Sequence, residues 1–276
     1  MKEIKFWKMN GSGNDFIIID NRDGIIKQEQ MSSFSKLVCR RRRSVGADGV
    51  IFIVESKSKS CDFAWKFYNS DGSEAEMCGN GSRCVARFAY LNKIAAKKMR
   101  FETAVGAVEA EVLGRRVKVM LTDPKQLRKD VQIEKLLDWE SIDFINTGVP
   151  HVVIRVKELE NIPVQQIGRK IRFHKEFLPE GTNVNFMRKI ADNLIEVRTY
   201  ERGVEDETLA CGTGSIASAL ISSLRDGNSS PVDVKTKGGE ILRIYFKRQG
   251  DRFFDIWLEG DTNIVYKGEL HEEALL

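Results

Sequence analysis

No stretch of this 276-residue chain is apolar for long enough to cross a bilayer, and nothing near Met1 resembles a secretory leader. A cytoplasmic address, with no membrane partner, is the expectation. An excess of charge of one sign is also missing. The 44 Lys and Arg against 40 Asp and Glu leave +4, too mild a field to imply nucleic acid as a partner. The five cysteines are an odd number without any Cys-x-x-Cys pair, which speaks against a disulfide framework, a four-ligand zinc site and the usual spacing of a thiol–disulfide oxidoreductase. Histidine is scarce, at three, and no Gly-rich loop ends in Gly-Lys-Ser/Thr, so ATP use has no support.

What the chain does contain is a pattern stated twice. Met77-Cys78-Gly79-Asn80-Gly81-Ser82 and Ala210-Cys211-Gly212-Thr213-Gly214-Ser215 each place one thiol before Gly-x-Gly-Ser, and each opens an apolar, helix-like stretch. A thiol at a helix start feels unpaired backbone N–H groups and the positive end of the helix dipole, which favour thiolate and should lower its pKa. The same N–H groups form a seat for an anion. The step from Cys78 to Thr103 equals that from Cys211 to Thr236, and both threonines are expected to begin Gly-containing β stretches. Upstream, Gly13-Asn14-Asp15-Phe16 and Gly148-Val149-Pro150-His151 each lead into an apolar strand. The chain therefore reads as two similar halves, 1–122 and 123–261, with the closing 262–276 free to return to the first.

Periodicity predicts strands at Ile4–Met9, Phe16–Asp20, Gly49–Val54, Phe63–Asn69, Lys98–Glu102, Ala107–Leu113 and Arg116–Leu121, with helices at Ser32–Arg42 and Asn80–Leu91. The second half supplies strands near Asp143–Thr147, Val152–Val156, Thr182–Lys189, Leu194–Tyr200, Val232–Thr236, Glu240–Lys247 and Phe253–Leu258, and helices at Pro163–Phe173 and Gly212–Leu224. This is an α+β arrangement in both halves. Cys39, Cys61 and Cys84 read as small buried hydrophobes, and Arg40–Arg43 as a solvated helix end.

Gly212-Thr213-Gly214-Ser215-Ile216-Ala217 also fits the G-x-G-x-x-A of dinucleotide sites, but the acidic Glu205-Asp206-Glu207-Thr208 stands where a buried strand is required. Asn69, after Tyr68, and Glu201-Arg202, after Tyr200, lie at matching distances before the two thiols and point to a shared cleft. Glu201-Arg202 alone reads as a surface pair; its duplicated setting makes it a site candidate. His151 reads either as a solvent-facing strand start or as a base that draws off a thiol proton.

Gly11-Ser12-Gly13-Asn14-Asp15-Phe16, Val45-Gly46-Ala47-Asp48-Gly49, Tyr68-Asn69-Ser70-Asp71-Gly72-Ser73, Cys78 to Cys84, Tyr200-Glu201-Arg202-Gly203 and Ala210 to Gly214 together resemble the diaminopimelate epimerases, in order and over nearly the whole chain. The resemblance implies two pseudo-symmetric α+β domains, each a curled sheet around a central helix, with the active site in the cleft between them. It further implies a small-molecule amino-acid substrate, no pyridoxal phosphate, no metal, and a homodimer as the one protein assembly left open. Carried over by position, it makes Cys78 and Cys211 the acid/base pair and assigns Gly79, Asn80, Gly212 and Thr213 to the reacting carboxylate. Asn69 and Glu201 fall at the reacting amino group, and Asn14, Asn183 and Arg202 at the distal end. Two positions depart: Gly49, where some members carry glutamine, and Val149, where many carry asparagine.

The chemistry fits the residues independently. Removing an α-proton leaves charge on the adjoining carboxylate, which opposed helix starts would stabilise, and inversion needs a base on one face and an acid on the other. Two alternatives stay open at this stage: a related cofactor-independent racemase of another amino acid, favoured by Val149, and a thiol–disulfide oxidoreductase.

Overall fold

The computed structural model describes residues 3–134 and 136–276. In chain order the first elements are β1 (Ile4–Gly11), β2 (Asn14–Asp20), α1 (Gln28–Val38), β3 (Gly49–Val54), β4 (Phe63–Asn69), α2 (Gly79–Leu91), β5 (Lys98–Thr103), β6 (Gly106–Leu113) and β7 (Arg116–Leu121). There follow β8 (Lys125–Arg128), β9 (Ser141–Asn146), β10 (Pro150–Arg155), α3 (Val164–Arg172), β11 (Asn183–Ala191), β12 (Leu194–Glu201), β13 (Asp206–Thr208), α4 (Gly212–Asp226), β14 (Val232–Thr236), β15 (Ile241–Gln249), β16 (Arg252–Asp261) and β17 (Asn263–Leu270). The chain divides into two compact units, Met1–Val119 with Gly260–Leu276, and Met120–Glu259.

In the first unit the strands run β17-β1-β2-β3-β4-β5-β6-β7. In the second they run β8-β9-β10-β11-β12-β14-β15-β16, with β13 added to the far end of β12. From β1 and from β9 onward, the successive pairings are antiparallel, parallel, antiparallel, parallel, antiparallel and antiparallel in both. Each parallel pair needs a crossover, and a helix supplies it every time: α1 and α2 in one unit, α3 and α4 in the other.

The crossover helices differ in how many faces they bury. Helices α1 and α3 bury one stripe each, Met31, Phe34, Ser35 and Val38, and Val164, Ile167, Gly168 and Ile171, as surface helices do. Helices α2 and α4 are buried nearly all round, through Gly81–Ala86 and Gly214–Ser223. Small residues allow that enclosure, so α2 packs on β1, β2, β3 and β6, and α4 on β9 to β12, β14 and β15. Each cysteine-led helix is thus the centre of its unit. Among the described residues, no helix is long and apolar enough to cross a membrane.

Several boundaries differ from the sequence expectation. Helix α1 begins at Gln28 rather than Ser32, because Lys27 and Gln30 form a reciprocal cap, and ends before Cys39. Residues Arg40–Arg43 are therefore turn, with Arg42 at φ 69°. Thr103 and Thr236 end strands rather than begin them; each hydroxyl donates across the following turn, to Gly106 O at 2.7 Å and Glu240 O at 3.2 Å. Cys61 is half-exposed in the loop before β4, so it is not the buried hydrophobe expected, whereas Cys39 and Cys84 are buried.

Candidate active site

Cys78 is the N-cap residue of α2, with extended backbone at φ −148°, and its sulfur accepts the Gly81 N–H at 3.4 Å. The S–H donates to Asn14 Oδ1 at 3.5 Å. That amide cannot turn over, because Asn14 Nδ2 donates to Asp48 Oδ2 at 2.7 Å and a carboxylate can only accept. Asp48 is held in turn by Arg41, whose guanidinium bridges Asp15 at 2.8 Å and Asp48 at 3.0 Å, while the buried Lys8 pairs with Asp15 at 2.7 Å. Burial works to raise the Asp15 pKa, but the Lys8 and Arg41 contacts outweigh it and hold the carboxyl below its ordinary range. Arg41 thus pairs with two carboxylates while its side chain stays 61% exposed, from the turn that follows α1 rather than from the helix end. Beside Gly79 the space is open, since a Cβ there would meet nothing within 4 Å. Asn80 Oδ1 is taken by the buried Arg83, which also donates to Ser12.

Cys211 takes the same N-cap position on α4, at φ −123°, but its side chain makes no capping hydrogen bond and it is buried. Its thiol is pushed up to about 12: burial dominates, the Glu201 charge adds to it, and the Thr213 hydroxyl and the N–H groups of Gly214 and Thr213 pull the other way without prevailing. This corrects the expectation of a lowered pKa at that helix start. The helix end does stabilise thiolate, but desolvation in an enclosed site is the larger effect. The Glu201 carboxyl is itself raised by burial.

His151, on β10, is fully buried and held neutral, its pKa lowered to about 3 by burial with a smaller push from the Arg202 charge. Its Nε2 lies 2.9 Å from Thr213 Oγ1 and its Nδ1 3.1 Å from Asn185 Nδ2. It stands behind Thr213, whose Oγ1 is 3.6 Å from the Cys211 sulfur. The picture of His151 as the direct recipient of a thiol proton is corrected accordingly, as is that of a solvent-facing strand start.

The diaminopimelate epimerase family model matches the chain twice, over residues 6–127 and 144–263. The chain belongs to the diaminopimelate epimerase family. It is 48% identical to the diaminopimelate epimerase of Aquifex aeolicus, over 99% of each sequence. It is 43% identical to that of Archaeoglobus fulgidus, over 99% of this chain and 98% of the relative. Among solved structures, a PhzF-family phenazine biosynthesis protein of Bacillus anthracis superposes with a TM-score of 0.72 at 15% identity, covering 98% of this chain and all of that one. A probable proline racemase of Agrobacterium radiobacter does so at 0.67 and 16%, covering 98% and 93%. At those identities the likeness is one of fold.

Within this epimerase-family scaffold the remaining candidates sort by what holds them. Asn183 spends its amide on backbone, donating to Pro150 O at 2.9 Å and accepting the Arg202 N–H at 2.8 Å, which fixes where Arg202 leaves β12. The Arg202 guanidinium reaches Glu180 O at 3.1 Å. Asn69 donates to Ser73 Oγ at 3.0 Å. Gly212 opens α4 with Leu258 beside it at 3.6 Å from a notional Cβ. Gly49 cannot be the counterpart of a glutamine that reaches a substrate, because a Cβ there would sit 2.6 Å from the Phe67 ring and 2.7 Å from Tyr68 O; it is a packing glycine. Val149 is half-buried in the turn before β10, with its carbonyl accepting the Thr147 N–H at 3.2 Å.

The sequence does not single out Asp48, Arg41 or Asn185 as parts of these networks. Asp48 lies within Val45-Gly46-Ala47-Asp48-Gly49, and that motif is the signal that points to it. Among the described residues, no group of three or more His, Cys, Asp or Glu is arranged to hold a metal ion.

Proposed function

We propose that this chain interconverts LL- and meso-2,6-diaminopimelate, feeding lysine and peptidoglycan precursor synthesis, with Cys78 and Cys211 as the two proton-handling groups. The single observation that carries this reading is the repetition of one device: a cysteine at the N-cap of the central helix in each of two topologically equal units. A thiol pair is suited to an α-proton because one sulfur removes it as thiolate while the other, still protonated, returns a proton to the opposite face. Backbone N–H groups at Gly79–Asn80 and Gly212–Thr213 would take the carboxylate as it gathers charge. Glu201 and Asn69 suit the reacting ammonium, and Asn14, Asn183 and Arg202 the distal amino-acid group. The five free thiols fit a reducing, cytoplasmic setting. Self-association belongs to the same proposal, supported by the exposed Val265 and Tyr266 on β17, and sedimentation at micromolar concentration checks it.

The deciding experiment is a time course in heavy water on the pure protein with LL-diaminopimelate. Early meso product should carry solvent deuterium at the inverted carbon while recovered substrate stays mostly protiated. Product that retains the substrate's own hydrogen would mean one base ferrying it across, and no conversion at all would sink the reading.

A further inference from the structure

The register of the two units allows a residue-by-residue comparison of what lies under each cysteine-led helix. In the first unit Phe16 pairs with Gly49, two residues before Ile51, and Ile51 pairs with Phe67. In the second, His151 pairs with Asn183, two residues before Asn185, and Asn185 pairs with Thr199. The apolar trio Phe16, Ile51 and Phe67 is thus matched, position for position, by His151, Asn185 and Thr199. The first is ordinary core, with the Phe16 and Phe67 rings 5.8 Å apart and edge to face. The second buries three polar side chains, each at most 4% exposed. Apolar groups of similar shape at such positions are neutral or stabilising relative to buried polar ones, so stability gives no reason for the exchange.

The polar trio has one internally consistent set of protons. Asn185 Nδ2 lies 2.9 Å from Val152 O, which can only accept, so the amide is fixed with nitrogen toward β10. Its oxygen accepts the Thr199 hydroxyl at 2.9 Å. The second amide hydrogen then faces His151 Nδ1 at 3.1 Å, making that nitrogen an acceptor. A neutral imidazole carries one proton, so it sits on Nε2 and is donated to Thr213 Oγ1 at 2.9 Å. With one of its two lone pairs engaged in this way, the Thr213 hydroxyl is left with its own hydrogen facing the Cys211 sulfur at 3.6 Å.

We propose that Asn185 is a positioning residue for catalysis: it locks His151 in the Nε2–H tautomer, so that Thr213 always presents a hydrogen-bond donor to the sulfur of Cys211. The chain is neutral throughout and moves no proton itself. Its work is to keep one donor aimed at a sulfur whose surroundings otherwise oppose the thiolate, Glu201 on β12 among them. Gly214 belongs to the same device, because a Cβ there would lie 2.3 Å from Asn185 Oδ1, so the amide fits only under a glycine. The inference rests on the reading of Cys211 as one of the two proton-handling thiols.

The test begins with 15N NMR of histidine-labelled wild-type protein, which should show His151 as the Nε2–H tautomer across neutral pH; an Nδ1–H tautomer there overturns the proposal without any variant. Asn185→Asp replaces the donor to Nδ1 by an acceptor of the same size. It should convert His151 to the Nδ1–H form or to imidazolium, and lower kcat on the order of tenfold, the scale of one hydrogen bond to a charged group, with KM little changed. Thr213→Val should lower kcat, and adding Asn185→Asp to Thr213→Val should cost little more, since both act along one path. Losses that multiply in the double variant, or a tautomer unmoved in Asn185→Asp, would count against the inference while leaving wild-type epimerisation, and so the proposed function, standing. Wild-type protein that shows the expected tautomer but no epimerisation would remove the function and leave the tautomer lock.

Discussion

The two units share strand order, crossover helices and a capping cysteine, yet the surroundings of the two sulfurs are opposite in kind. Cys78 is half-exposed and faces an acceptor, Asn14 Oδ1, whose orientation is set by an ionic cluster of Asp48, Arg41, Asp15 and Lys8. Cys211 is buried and faces a hydroxyl whose orientation is set by the neutral His151 and Asn185. One backbone plan therefore carries two electrostatic solutions. The difference teaches that the plan supplies the location of each thiol, while the side chains beneath the helix decide which groups face it and how far it is buried.

The largest effect expected from breaking this pairing is complete. Alanine at Cys78 or at Cys211 should abolish epimerisation in both directions, as measured by conversion of either isomer, because each direction needs one base and one acid. An active Cys211→Ala protein would mean that the second unit repeats only the fold. Next in size, Gly214→Ala should destabilise by about 1–3 kcal/mol, in the range of overpacked cores, because Asn185 is fixed by three hydrogen bonds and cannot yield. Gly81→Ala should cost less, since its new Cβ would meet the movable end of Ile51 at 3.1 Å. Denaturant unfolding of both variants checks the ranking, and equal losses would break the comparison.

Acid should also separate the units. His151 has a folded pKa of about 3 against an ordinary 6.5, so the unfolded chain binds the proton first and stability falls as pH drops from about 6.5 toward 3. The depressed Asp15 acts lower: its contribution is intact above its ordinary 3.8 and is lost only as pH falls below that. Stability measured against pH should lose its slope between pH 6 and 4 in His151→Phe, which installs the residue of the matching site, and keep it in Asp15→Asn. The smallest effects are at the distal end. Arg202→Lys should weaken substrate use by roughly 1–3 kcal/mol, through loss of a charge-assisted contact. Val149→Asn, which gives the second unit the equivalent of Asn14, should be neutral or should improve kcat/KM for diaminopimelate.

The cysteine-led helices are legible in the sequence to within two residues, because Cys-Gly-x-Gly-Ser is itself the capping signal, and strands such as Gly49–Val54 and Phe63–Asn69 are bounded by their own pattern. Helix α1 is not, since its start depends on the Gln30 side chain accepting the Lys27 N–H while the Lys27 carbonyl accepts the Gln30 N–H, and Lys27 has no side chain that marks it as a cap. Strands β8 and β13 are short and polar, with no buried residue, and exist through pairing with β9 and β12.

In the site, Cys78, Cys211 and Glu201 stand out because their flanks repeat. Asn185 does not, because a second asparagine two residues after Asn183 carries no meaning until β11 is set in register beside His151. The sequence alone thus determines that there are two equivalent thiols at two helix starts, since capping is a local interaction written within a few residues. Only the tertiary structure decides that the Cys211 thiol is pushed up, His151 kept neutral and Gly49 closed to any side chain, because burial, tautomer and clearance are set by atoms far away in the chain.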